Sequence, residues 1–119
     1  MKDYRRLEVW QRGHQLALAV YSVTRRFPRE EQFGLTSQMR RAAASIPANL
    51  AEGSGRDSDN ELKRFIHIAH GSASELEYFL LLASELRLLS TESSATLMDE
   101  TSQLKRMLGA FARKLKADR

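Results

Sequence analysis

The sequence predicts an all-α protein, an up-down-up-down four-helix bundle, and three observations point there. Only two prolines and six glycines punctuate 119 residues. The segments between them repeat apolar residues every three or four positions, as a helix does and a strand does not. The connections are short, which sets consecutive helices antiparallel. The length suits one domain, residues 1–119, able to bury roughly two-thirds of the surface its unfolded chain would expose.

The first helix is expected over about 4–27, stopped by Pro28 because the residue before a proline is pushed out of the α region. It carries two apolar stripes. One holds Leu7, Trp10, Ala17, Leu18 and Tyr21, the other Val9, Leu16, Val20, Val23 and Phe27. After the linker "PREEQFG", the second helix is expected over 35–52, with Gly53 as a left-handed cap. It turns Leu35, Met39, Ala42, Ile46 and Leu50 to the core and leaves a flat back of Ala44, Ala48 and Ala51. Pro47 lacks the backbone donor and clashes with the Ala43 carbonyl, so the helix should kink or restart there, with Asn49 placed to satisfy a freed carbonyl.

The third helix opens on "SDNE", where Ser58 and Glu61 have capping-box spacing, and is expected over 58–89, about 46 Å of helix. Its main stripe is Leu62, Phe65, Ile66, Ala69, Ala73, Leu76, Leu80 and Ala83, while Tyr78, Leu82 and Leu89 project from the other side. The fourth, over 93–117, is one-faced through Leu97, Thr101, Leu104, Leu108, Phe111 and Leu115.

A helix on the outside of a monomeric bundle needs one apolar stripe. Second stripes on three helices predict a homo-oligomer packed through those faces. Tyr78 and Leu82 are the apolar candidates for that interface. Arg41 and Glu52 lie too far apart to pair within one helix, so each is expected to meet a charge elsewhere and set register, with Glu75 the partner for Arg41.

Alternating helices bring the starts of the first and third helices to the ends of the second and fourth. Eleven cations and seven acids meet at that end, a net +4, against −2 at the opposite end. With a net charge of +4 and a pI near 9.8 overall, this favours a polyanion. The candidate nucleic-acid contacts are Arg5, Arg6, Arg12, Arg56, Lys63, Arg64, Arg113, Lys114 and Lys116. No aromatic residues interleave with them, so binding to RNA or DNA should be weakly sequence-specific and sensitive to salt. The alternative is a protein-interaction scaffold whose positive charge is incidental.

Catalytic patterns do not emerge. The chain has no cysteine, which removes thiolate chemistry and fits a reducing, cytoplasmic setting. His67 and His70 could share a metal by spacing but lack the Glu-x-x-His pattern of di-iron bundles, and His14 reads as a core histidine. No phosphate-binding loop, nucleophile elbow or dinucleotide fingerprint occurs. The expectation is a non-enzyme without metal or cofactor. The longest apolar run near the N-terminus, Leu16 to Tyr21, is too short for a signal core or a membrane span.

The core R-R-A-x-x-S-I-x-x-N-x-A-E-G on Arg40 to Gly53, with A-x-G-S-x-x-E-L on Ala69 to Leu76, resembles the bacterial four-helix bundle protein family found within intervening sequences of 23S rRNA. The likeness spans nearly the whole chain. That family is similar in fold to the accessory variability determinant of diversity-generating retroelements, a ring-shaped pentamer that binds nucleic acid and a reverse transcriptase. The resemblance implies a four-helix bundle and a homopentamer, with nucleic acid and a reverse transcriptase as possible partners and no catalytic residues to carry over.

Overall fold

A few polar contacts decide where the helices begin. The computed structural model describes residues 3–115, and its helices are α1 (Glu8–Thr24), α2 (Leu35–Ser54), α3 (Asp59–Glu85) and α4 (Thr91–Lys114). Single 3-10 turns lie at Tyr4–Arg6 and Arg29–Glu31, and no strand occurs among the described residues. Ser58 caps α3 by accepting from the Glu61 backbone N at 3.1 Å, as the capping-box spacing predicts. Ser90 does the same for α4 through Ser93 N at 3.0 Å. The residue ahead of α2 is Gly34, which has no side chain to offer, and Glu31 Oε1 accepts from Leu35 N at 3.1 Å instead.

The end of α3 is a Schellman turn. Leu88 N donates to Ala83 O at 2.9 Å and Arg87 N to Ser84 O at 3.0 Å, with Arg87 left-handed at φ 62°. Arginine therefore occupies a position that glycine usually fills. Each helix packs on its chain neighbours, and α1 closes the bundle against α4 through the least extensive contact of the four. The molecule is a rod 49 Å long and 22 × 20 Å across. Along its axis run Val20, Met39, Ile46, Leu50, Leu76, Leu80, Leu104 and Leu108, all fully buried. Two threonines share this interior, and their hydroxyls bond to carbonyls one turn back, Thr24 to Val20 O at 2.8 Å and Thr101 to Leu97 O at 2.7 Å.

Several expectations need correcting. The first helix starts four residues later than expected, because Asp3 caps a separate turn by accepting from Arg5 N at 3.1 Å. It also stops at Thr24, so Phe27 turns inward from the loop and is buried. Gly53 is no left-handed cap; α2 continues to Ser54 and no described glycine has positive φ. Its role is close approach, since a Cβ there would stand 2.7 Å from Phe65 Cβ. α2 does not restart at Pro47, which lies buried within the helix. Leu89 is core, and Leu82 is half-buried against the core. The second stripes are thus partly interior, because the bundle's inner face is wider than one stripe.

Candidate nucleic-acid interface

The antiparallel packing does bring the predicted basic end together. Leu7, Glu8 and Val9 of the α1 start share a groove with Met107, Phe111 and Lys114 of the α4 end. Gly53, near the end of α2, meets Leu62 and Phe65, near the start of α3. Within this end the cations differ in how firmly they are held. Arg5 folds back on Asp3, with Nε 3.3 Å from Oδ1. The hydrogen bond from Arg5 N, then that from the Arg5 side chain, holds the Asp3 carboxyl below its usual range. Arg6 is exposed. Arg12 is half-buried and donates to Gln103 Oε1 at 2.8 Å, tying α1 to α4.

Arg56 and Arg64 share one aromatic ring. Their guanidinium carbons lie 5.0 and 4.7 Å from the Phe65 centroid, and each also meets an acid, Glu52 at 2.7 Å and Glu61 at 3.5 Å. Both are surface pairs, and such pairs contribute little to stability. Lys63 is half-buried, while Arg113 and Lys114 are exposed in the last turn of α4, where cations favour the helix dipole. Lys116 lies outside the described residues.

A second basic feature crosses from this end toward the middle. His70 of α3 and Ser102, Lys105, Arg106, Gly109 and Arg113 of α4 line a groove of about 540 Å³. Lys105 Nζ meets Glu77 Oε1 at 3.0 Å, and Arg106 Nη1 donates to Ser102 Oγ at 2.9 Å. Burial, and then the Lys105 and His67 charges, hold the His70 imidazole below the ordinary histidine value against an opposing pull from Glu77. Lys105 and Arg106 were not among the predicted contacts. The signal for Arg106 was present, because Ser102, Arg106, Gly109 and Arg113 recur at steps of four, three and four.

The predicted register residues separate. Ser45 Oγ and Ser72 Oγ are 2.8 Å apart, and Asn49 Nδ2 donates to Ser45 O at 2.8 Å and to Ser45 Oγ at 2.9 Å. Asn49 therefore serves a serine that joins α2 to α3, and its bond goes to the Ser45 carbonyl, not to the Ala43 carbonyl opposite Pro47. Pro47 packs on Gly13 of α1, where a Cβ would lie 3.7 Å from the proline Cδ. Glu52 meets Arg56 at 2.7 Å, a charge in the turn just beyond α2, so this pair joins α2 to its following turn and sets no register with another helix. Arg41 and Glu75 line one groove of about 280 Å³ with Gln38, Ser45 and Ser72, yet they form no ion pair. Arg40, beside Arg41, points the other way: it donates to Thr24 Oγ1 at 2.8 Å and lies 4.7 Å from the Tyr21 ring centroid.

Tyr78 is 56% exposed, and Leu18, Leu81, Leu86 and Phe33 are exposed as well. His14 is half-buried and stacks on Trp10 with ring centroids 4.9 Å apart, so it is an outer-face residue and not a core histidine. No group of three or more histidines and acids suited to a metal occurs among the described residues. No helix there is long and apolar enough to cross a membrane.

Four antiparallel helices and a serine–asparagine lock between α2 and α3 define a small helical-bundle protein. The family model described as 23S rRNA-intervening sequence protein matches residues 5–110, and the chain belongs to that family. Among solved structures it is similar to a protein of unknown function from the S23 ribosomal protein family of Bacteroides thetaiotaomicron. The TM-score is 0.79 at 20% identity, covering 87% of this chain and 97% of that one. At that identity the likeness shows the fold alone. No curated protein matches the chain.

Proposed function

We propose that this protein is a cytoplasmic, non-enzymatic homo-oligomer that binds the phosphate backbone of RNA or DNA with little sequence preference, as an accessory to another nucleic-acid enzyme. One observation carries the reading: antiparallel packing gathers Arg5, Arg6, Arg12, Arg56, Lys63, Arg64, Arg113 and Lys114 at one end of a rod whose far end is acidic. Repeating that end by symmetry multiplies a modest charge into a strong positive face. The exposed apolar residues lie on different helices, Leu18 on α1 against Tyr78 and Leu81 on α3. Unlike surfaces suit head-to-tail contacts, which form a ring when the rotation between subunits closes, as in the pentamer that the retroelement resemblance implies.

A fluorescent RNA and a duplex DNA should both bind at 50 mM salt. With about four phosphates neutralised, affinity should fall roughly 100-fold by 200 mM. No binding, or binding indifferent to salt, rejects the reading. Light scattering on the same sample should exceed the 13.6 kDa of one chain. The exposed apolar residues also favour the scaffold reading, in which a protein such as a reverse transcriptase docks there. That reading predicts partner capture unchanged when Arg5, Arg6, Arg113 and Lys114 are neutralised together.

A further inference from the structure

We infer that the groove between α3 and α4 is the track in which a phosphodiester strand lies, held by Arg106 and Arg113 through successive phosphates while its bases face solvent. The inference rests on the nucleic-acid reading and names the site within it. The groove holds about 540 Å³, more than the two α1–α4 grooves at 420 and 310 Å³. Its lining carries Lys105, Arg106 and Arg113 with His70 and no acid. The α1–α4 grooves carry Glu92 and Glu100 or set Glu8 against Lys114, and the α2–α3 groove sets Arg41 against Glu75. Lys105 is paired with Glu77 of α3 beside the groove, so the positive charge that a polyanion needs comes from Arg106 and Arg113, which pair with no acid among the described residues.

The spacing separates a strand from a single small anion. Side chains on a helix lean toward its N-terminus. Arg106 does so, donating to Ser102 Oγ at 2.9 Å, and Arg113 does so over Gly109, where its Nη1 lies 3.4 Å from the position a Cβ would take. Both heads lean by one turn, so they keep the seven-residue separation of their helix positions, roughly 10 Å along the axis. Two guanidiniums that far apart serve two phosphates and not one. Gly109 puts no side chain under the Arg113 head, which lets that guanidinium lie close to the helix wall. Lys105 is tied to Glu77 at 3.0 Å and contributes field more than a free donor. No aromatic side chain lines the groove, so bases have nothing to stack on.

The test is anisotropy with labelled RNA homopolymers of two different bases, on the wild-type chain, on R106A/R113A and on R5A/R6A. The groove variant should bind at least tenfold more weakly at low salt, with a salt slope smaller by about 2, one unit for each phosphate left without its arginine. R5A/R6A, which removes two cations of the basic end, should weaken binding less than R106A/R113A does, and the two homopolymers should bind alike. If R5A/R6A loses affinity and R106A/R113A does not, the groove assignment falls while nucleic-acid binding stands. A tenfold preference between homopolymers shows that bases are read and overturns the backbone-only track. If the wild-type chain binds neither polymer, the groove and the nucleic-acid reading fall together. Circular dichroism of both variants should match wild type, and R106Q/R113Q, which keeps the side-chain volume, should reproduce the loss.

Discussion

Substituting Gly53 by alanine tests whether the α2–α3 contact is as close as it looks. The new Cβ would stand 2.7 Å from Phe65 Cβ and 3.0 Å from Leu62 Cδ1. The first neighbour is fixed to the α3 backbone, so relief requires the two helices to part or tilt. Overpacking of this kind costs typically about 1–3 kcal/mol. Alanine returns about 0.5–1 kcal/mol by restricting the unfolded chain, so the net loss is about 1.25 kcal/mol at the middle of both ranges and at most about 2.5 kcal/mol. At roughly 4 °C per kcal/mol for a chain of this size, Tm should drop by about 5 °C, and by at most about 10 °C. Gly71 is the internal control, being exposed on α3 with nothing within 4 Å of a Cβ. Gly71→Ala should raise Tm by about 2–4 °C. Thermal unfolding followed by circular dichroism at one protein concentration gives both values. If Gly53→Ala were as stable as Gly71→Ala, the idea that Gly53 permits the approach of α2 to α3 would be wrong.

Three further outcomes follow from single side chains. Asn49→Ala removes both bonds to Ser45 and should destabilise by about 1–2 kcal/mol in urea denaturation, with Ser45→Ala in the Asn49→Ala background adding less than it does alone. Arg87→Gly relieves a left-handed residue and should stabilise by about 0.5–1 kcal/mol by the same measurement, while Arg87→Val should destabilise. Because folding lowers the His70 pKa, the unfolded chain binds more protons near neutrality, so stability is full above about pH 6.5 and declines as pH falls through that value toward the folded pKa. His70→Gln should flatten that part of a Tm-against-pH curve. In the groove reading a bound polyanion restores the proton, so RNA affinity should rise from pH 7.5 to 6 in wild type and much less in the variant.

The fold was legible because its signals are local. Ser58 with Glu61, the stripe from Leu62 to Ala83, and the stripe through Leu97, Thr101, Leu104 and Leu108 each need only one helix to be read, and each sits where expected. The expectations that failed depend on a second element. Gly53 reads as a cap until Phe65 is seen beside it, since a glycine near a helix end signals both a left-handed turn and a close crossing. Leu89 reads as an outer-face residue, and Phe27 as the last member of a helical stripe, because both were placed on helices that had already ended. Once in loops, they turn back over the ends of the core.

The charged residues show the same division more sharply. Antiparallel order alone determines which termini meet, and so which cations share an end. Counting them by end could not say which guanidiniums are engaged, since that depends on partners such as Phe65 for Arg56 and Arg64 or Gln103 for Arg12. It also passed over Lys105 and Arg106, which belong to neither end, although they line the same groove as Arg113. The face between α3 and α4 emerges only when the 3–4 spacing of Ser102, Arg106, Gly109 and Arg113 is set against His70 across the bundle. In the groove reading, a basic stripe along a helix flank steers a polyanion more than the charge of a helix terminus does. Neutralising the two sets separately turns that difference into a measurement.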